Sequence, residues 1–91
     1  MKKGIVVNYA VLAQKDLRRI DKGIARRIVL KVQRYSESDK PYSEAKSLGG
    51  ELIGLFRYRV GDYRVIFELS DDGTITILTV LRIKHRKDVY R

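Results

Sequence analysis

The stretch LFRYRVGDYRVIFEL, residues 55–69, decides the fold. Successive side chains of a strand point to opposite faces. In residues 55–60, Phe56, Tyr58 and Val60 share one face, and Leu55, Arg57 and Arg59 share the other. In residues 63–69, Tyr63, Val65, Phe67 and Leu69 share one face, and Arg64, Ile66 and Glu68 the other. A Gly61-Asp62 pair between two such runs is a tight-hairpin signal. One face of this hairpin is apolar and must be covered. The other gathers Arg57, Arg59 and Arg64. Like charges on adjacent strands repel. The three arginines therefore either fan into water, with Glu68 or Glu51 as partners, or await phosphates, whose shape a guanidinium fork matches with two bonds.

The cover comes from the first half of the chain. Ile5-Val6-Val7 with Tyr9 reads as a short β-branched strand. From Val11 the apolar period lengthens. Leu12, Ala13, Leu17 and Ile20 form a helical stripe, with Lys15, Asp16, Arg18 and Arg19 off it. Asp21-Lys22-Gly23 interrupts, and Asp21 is placed to cap a second helix. Ile24, Ile28, Val32 and Tyr35 recur at helical spacing, with Arg26, Arg27, Lys31 and Arg34 opposite. That helix fades in residues 36–40 and ends before Pro41. Residues 42–50 read as a loop, softest at Gly49-Gly50. After the hairpin, residues 70–73 form another turn. Residues 74–81 are apolar on both alternations, as a central strand requires. The order is strand, helix, helix, strand, strand, strand. The spacing thus predicts an α+β fold, with a two-helix hairpin packed on one face of a mainly antiparallel four-stranded sheet.

Ninety-one residues make a single domain, spanning 1–91. With no cysteine and one histidine, neither disulfides nor a dedicated transition-metal site are expected. The apolar run after the N-terminal lysines is too short for a signal peptide, and no segment approaches a membrane span. A cytoplasmic protein without membrane contact or cofactor is expected. Twenty Lys and Arg against eleven Asp and Glu leave a net charge of +9. Such a balance favours a polyanionic partner, whether nucleic acid or acidic protein, without choosing between them.

The C-terminus, LRIKHRKDVYR, adds Arg82, Lys84, His85, Arg86 and Lys87. A central last strand would deliver them beside the arginine hairpin. The segment is then either a solvated basic tail or the last wall of a phosphate-binding surface. In the second reading His85 is the side chain type that suits proton transfer, and Tyr90 offers a ring for stacking on a base.

The run GLFRYRVGDYRVIFEL, followed by an Asp-Gly turn, an apolar strand and HRKDVYR, resembles the RelE/ParE superfamily of toxins. The likeness extends from Ile5 to Arg91 and is most specific from Gly54 to Tyr90. It implies the RelE fold and the activity of the RelE branch, a ribosome-dependent endoribonuclease (mRNA interferase) that cleaves mRNA in the A site and inhibits translation. The implied partners are the ribosome, mRNA and a RelB-like antitoxin, in a toxin–antitoxin hetero-oligomer. Residue by residue, the resemblance places the paired strand cations at Arg57 and Arg59. It places the arginine after the strand tyrosine at Arg64, the C-terminal cation at Lys84 and the base stacker at Tyr90. RelE proteins carry Lys at the paired positions, where one can act as base. A guanidinium stays protonated, so His85 becomes the expected proton carrier, with Lys84 or an arginine sharing the work. Arg57, Arg82 and Arg86 would hold RNA phosphates, and Arg59, Arg64, Lys84, His85 and Tyr90 would act in cleavage. Two other functions fit the same residues: a gyrase inhibitor of the ParE branch and a non-catalytic nucleic-acid-binding module.

Overall fold

The computed structural model describes residues 4–37, 46–47, 54–71 and 73–87. The elements are β1 (Gly4–Tyr9), α1 (Val11–Arg19), α2 (Lys22–Glu37), β2 (Lys46–Ser47), β3 (Leu55–Val60), β4 (Tyr63–Asp71) and β5 (Ile75–His85). The strands form one sheet in the order β1-β5-β4-β3-β2. Three pairings are antiparallel, and β1 pairs with β5 in parallel. The expected α+β architecture stands, with two details added. The sheet is mixed, and the two-residue β2 lies in the stretch read as loop, on the outer edge of β3. The soft point expected at Gly49-Gly50 lies outside the described residues. Among the described residues no helix is long and apolar enough to cross a membrane.

The apolar face of the hairpin is buried as alternation requires. Tyr58, Val60, Val65 and Phe67 join Leu78, Val80 and Ile83 of β5, with Ala13 of α1 and Ile28 and Val32 of α2, in one core. Tyr58 stacks on Phe67 at 4.6 Å between ring centroids and meets Tyr35 of α2 at 4.1 Å. Aromatic pairs of this kind add about 0.5–1.5 kcal/mol beyond their buried area. Asp21 caps α2 as expected: its Oδ2 accepts from the N–H groups of Gly23 and Ile24 at 3.1 and 3.4 Å. The stripe of α1 departs from expectation. Leu12 is 53% exposed, whereas Asp16, assigned off the stripe, is buried. Ala13, Asp16 and Ile20 stand at i, i+3 and i+7, one helical face, and this is the face turned to β5.

The hairpin turn depends on Gly61, whose φ is 57°. A positive φ at the first position of a two-residue loop is the type II′ geometry that matches strand twist. A Cβ at Gly61 meets no atom within 4 Å, so its penalty is conformational only. Gly61→Ala is expected to lower stability by about 1 kcal/mol, read from the urea midpoint at unchanged slope.

Candidate functional site

Cross-strand register assembles the cations. Arg59 of β3 is the direct partner of Arg64 of β4, and Arg64 is the partner of Lys84 of β5. The three form one row across three strands, on the face opposite the helices. Arg59 is exposed, whereas Arg64 is only 9% exposed. Arg57 stands one row further along, opposite Ile66. Arg86 joins at the end of the hairpin. Its backbone N–H donates to the Asp62 carbonyl at 2.8 Å, extending the ladder past the last paired strand residue. Arg59, Arg64 and Arg86 line one cleft with Tyr63 and the turn. The Arg86 guanidinium lies 3.8 Å from the Asp62 carboxylate, a mostly solvated contact of little energetic weight. Tyr90 lies outside the described residues.

A bulge in β5 decides which C-terminal residues reach this row. Phe67 pairs with Val80, but Ile66 pairs with Arg82, so Leu81 is an extra residue with no partner on β4. Uninterrupted alternation from Leu78 and Val80 would turn Arg82 and Lys84 toward the core, and Ile83 and His85 toward the arginines. The bulge exchanges the two sets. Ile83 is buried beside Val65, Lys84 stands with Arg64, and His85 meets Tyr63 on the helix side of the sheet. The His85 and Tyr63 rings contact edge-on at 5.1 Å and 89°. His85 Nδ1 accepts the Lys87 backbone N–H at 3.2 Å. In the neutral ring the proton therefore sits on Nε2. The structure thus separates His85 from the arginine row that it was expected to join.

Arg82 is also engaged elsewhere. Its Nε and Nη2 donate to Asp16 Oδ2 and Oδ1 at 2.9 and 3.1 Å, and the Ile83 N–H donates to Asp16 Oδ2 at 2.8 Å. Parallel pairing with β1 ends at Val80, where Tyr9 leads through Ala10 into α1. Among the described residues, the edge of β5 beyond that point has no neighbouring strand. Asp16 occupies the gap and takes the N–H that a strand would have taken, as buried backbone donors require. Burial pushes the Asp16 pKa up. The hydrogen bonds from Arg82 and Ile83 and the attraction of Arg82 and Lys84 outweigh that, and hold it below its ordinary value. Arg82 is correspondingly held in its charged form by Asp16. Arg82 was expected to hold RNA phosphate; here it braces the strand that carries Lys84. Sequence reading passed over Asp16 because it was sorted by charge. Its helical spacing from Ala13 and Ile20 was the available signal.

The arrangement, an arginine row with a lysine at its end, also occurs in a chain with clear relatives. The family model for the ParE toxin of type II toxin–antitoxin (parDE) systems matches residues 7–90. Toxin RelG of Mycobacterium tuberculosis is 32% identical over 88 residues, 93% of this chain and 94% of the relative. A chain of the RelBE2 toxin–antitoxin complex of Mycobacterium tuberculosis superposes with a TM-score of 0.72 at 27% identity, covering 94% of this chain and 95% of that one. A chain of the RelB–RelE antitoxin–toxin complex of Methanococcus jannaschii does so with a TM-score of 0.64 at 28% identity, covering 91% and 94%. Sequence and fold agree over nearly the whole length, and the chain belongs to the RelE/ParE superfamily, the toxins of type II toxin–antitoxin systems.

Proposed function

We propose that this toxin is a ribosome-dependent endoribonuclease that cuts mRNA in the A site and halts translation. In the resting cytoplasm a RelB-like antitoxin would hold it in a hetero-oligomer. The observation that carries the reading is the row Arg59–Arg64–Lys84, three cations in register on one face. Cleavage needs the 2′-oxygen of a ribose to attack its own 3′-phosphate. A P–O bond forms to the 2′-oxygen, the P–O5′ bond breaks, and a 2′,3′-cyclic phosphate results. The 2′-OH proton goes to a base, and the departing 5′-oxygen takes a proton from an acid. Arg59 and Arg64 stabilise the charge that grows on the phosphate oxygens, the largest single contribution expected of such a site. Arg57 and Arg86 hold flanking phosphates. Lys84 is the one amine on the row, and the weight of proton transfer moves to it from His85, whose ring lies on the other face. Tyr90 stacks on the mRNA base and keeps the attack in line.

The matching family model is that of the ParE toxin, and the second reading is the one the resemblance gives that branch, inhibition of gyrase. Translation of a defined mRNA on purified ribosomes separates the two. Fragments ending within A-site codons support the nuclease. Intact mRNA together with trapped gyrase–DNA complexes would replace it with the gyrase reading.

A further inference from the structure

The row leaves one basic feature unused. On the helix side of the sheet a cleft of about 330 Å³ opens between the end of α1 and the end of β5. Arg19, Ile20, Tyr63, Ile83, Lys84 and His85 line it. Asp16 and Arg82 line it too, but their charges cancel in the ion pair. One cation remains that the row does not use, Arg19, whose side chain makes no hydrogen bond or ion pair with another described residue. The rest of the lining is of another character. Tyr63 presents a ring, and Ile20 and Ile83 are apolar. The Lys87 N–H at Nδ1 leaves the proton of neutral His85 on Nε2, a hydrogen-bond donor. A ring wall, a ring N–H donor and a cation are what a single nucleotide requires: stacking for its base, a bond to a base acceptor, and charge for its phosphate.

The cleft is continuous with the row through one residue. Tyr63 lines both this cleft and the one formed by Arg59, Arg64 and Arg86. It opens β4 at the end of the sheet, where an RNA strand lying along the row would turn onto the helix side. Lys84 stands at the same corner, on the row by register and against the cleft by contact. We propose that this cleft is a second RNA subsite, which holds the nucleotide next to the scissile phosphate, with His85 and Tyr63 contacting the base and Arg19 the phosphate. The proposal rests on the cleavage reading above and names the path of that reaction's substrate.

His85 is the only histidine of the chain, so its imidazole NMR signals report the cleft alone. The probe is a short single-stranded oligonucleotide with every sugar 2′-O-methylated, which cannot be cut. In the full chain, its addition is expected to shift the His85 signals saturably. The same shift is expected in Arg59→Ala. In Arg19→Ala, an exposed position whose amide spectrum reports folding, the apparent Kd is expected to rise on the order of tenfold. The subsite is overturned if His85 stays still, whether or not the arginine Nε–H signals of the row move. It is also overturned if Arg19→Ala binds like wild type, if the shift disappears in Arg59→Ala, or if inorganic phosphate alone reproduces the full shift. Failure of the cleavage reading looks different: mRNA stays whole on ribosomes while the His85 shift persists.

Discussion

Asp16→Ala is expected to destabilise the protein by about 2–3 kcal/mol, less than the loss of a fully buried pair because the Arg82 side chain is 36% exposed. The change strips two hydrogen bonds from Arg82 and takes from the Ile83 N–H its acceptor, at an edge that no strand of the described residues covers. Stability would be read from chemical unfolding with tryptophan-free probes such as far-UV circular dichroism, since the chain has no Trp. Asp16→Asn separates the two roles. An amide oxygen can still accept from Ile83, but it offers Arg82 no charge, so the loss should be smaller. The pH dependence has a definite sign. The folded pKa of Asp16 lies below its ordinary value of 3.8, so the folded state releases this proton more readily than the unfolded chain. The stabilisation is fully present above the unfolded pKa. It fades as pH falls through the lowered folded one. The gap in stability between wild type and Asp16→Asn should therefore be constant at neutral pH and narrow below about pH 4. A gap unchanged down to pH 2 would show that the carboxylate charge contributes nothing.

Arg59→Ala is expected to slow cleavage on ribosomes by a factor of about 10²–10³, the scale seen when one preorganised donor to a developing anion is removed. The position is exposed, so folding should be unaffected and the loss should appear in kcat more than in KM. Arg64→Ala should be at least as damaging, but Arg64 is nearly buried, and its truncation also leaves a gap. Arg64→Lys tests the site more cleanly: it keeps the charge and loses the fork. Growth arrest on expression gives the cellular readout. If Arg59→Ala, Arg64→Lys and wild type arrest growth equally, the row is not the cleavage site. Lys84→Gln should slow cleavage by a factor of about 10² or more, whereas His85→Gln should cost far less in kcat, because the two side chains stand on opposite faces of the sheet.

Much of this was legible in the chain itself. The hairpin of residues 55–69 declared its own faces, because strand period is local, one face is apolar throughout and the three arginines all fall on the other. The Gly61 turn and the Asp21 cap were equally local. The site was legible in part. Arg59 and Arg64 fell on one face by counting, and the resemblance added Lys84. His85 stands apart from the row because of the bulge, and Arg82 because Asp16 engages it. Counting along β5 cannot reveal an extra residue at Leu81, because a bulge is a property of two strands paired and not of one strand read alone.

The sequence by itself determined the element order, the covered face of the hairpin and the basic character of the other, since these follow from periodicity and charge. Only the tertiary structure decided that β1 returns in parallel beside β5 and stops at Val80, leaving an edge for Asp16 to close. Only the tertiary structure, too, decided that the bulge turns Lys84 toward the arginines and His85 toward Tyr63. Both are matters of register between segments about 60 residues or more apart along the chain, or between strands joined across a turn. Register is fixed where the whole set of buried side chains packs at once, and a shift of one residue exchanges the faces.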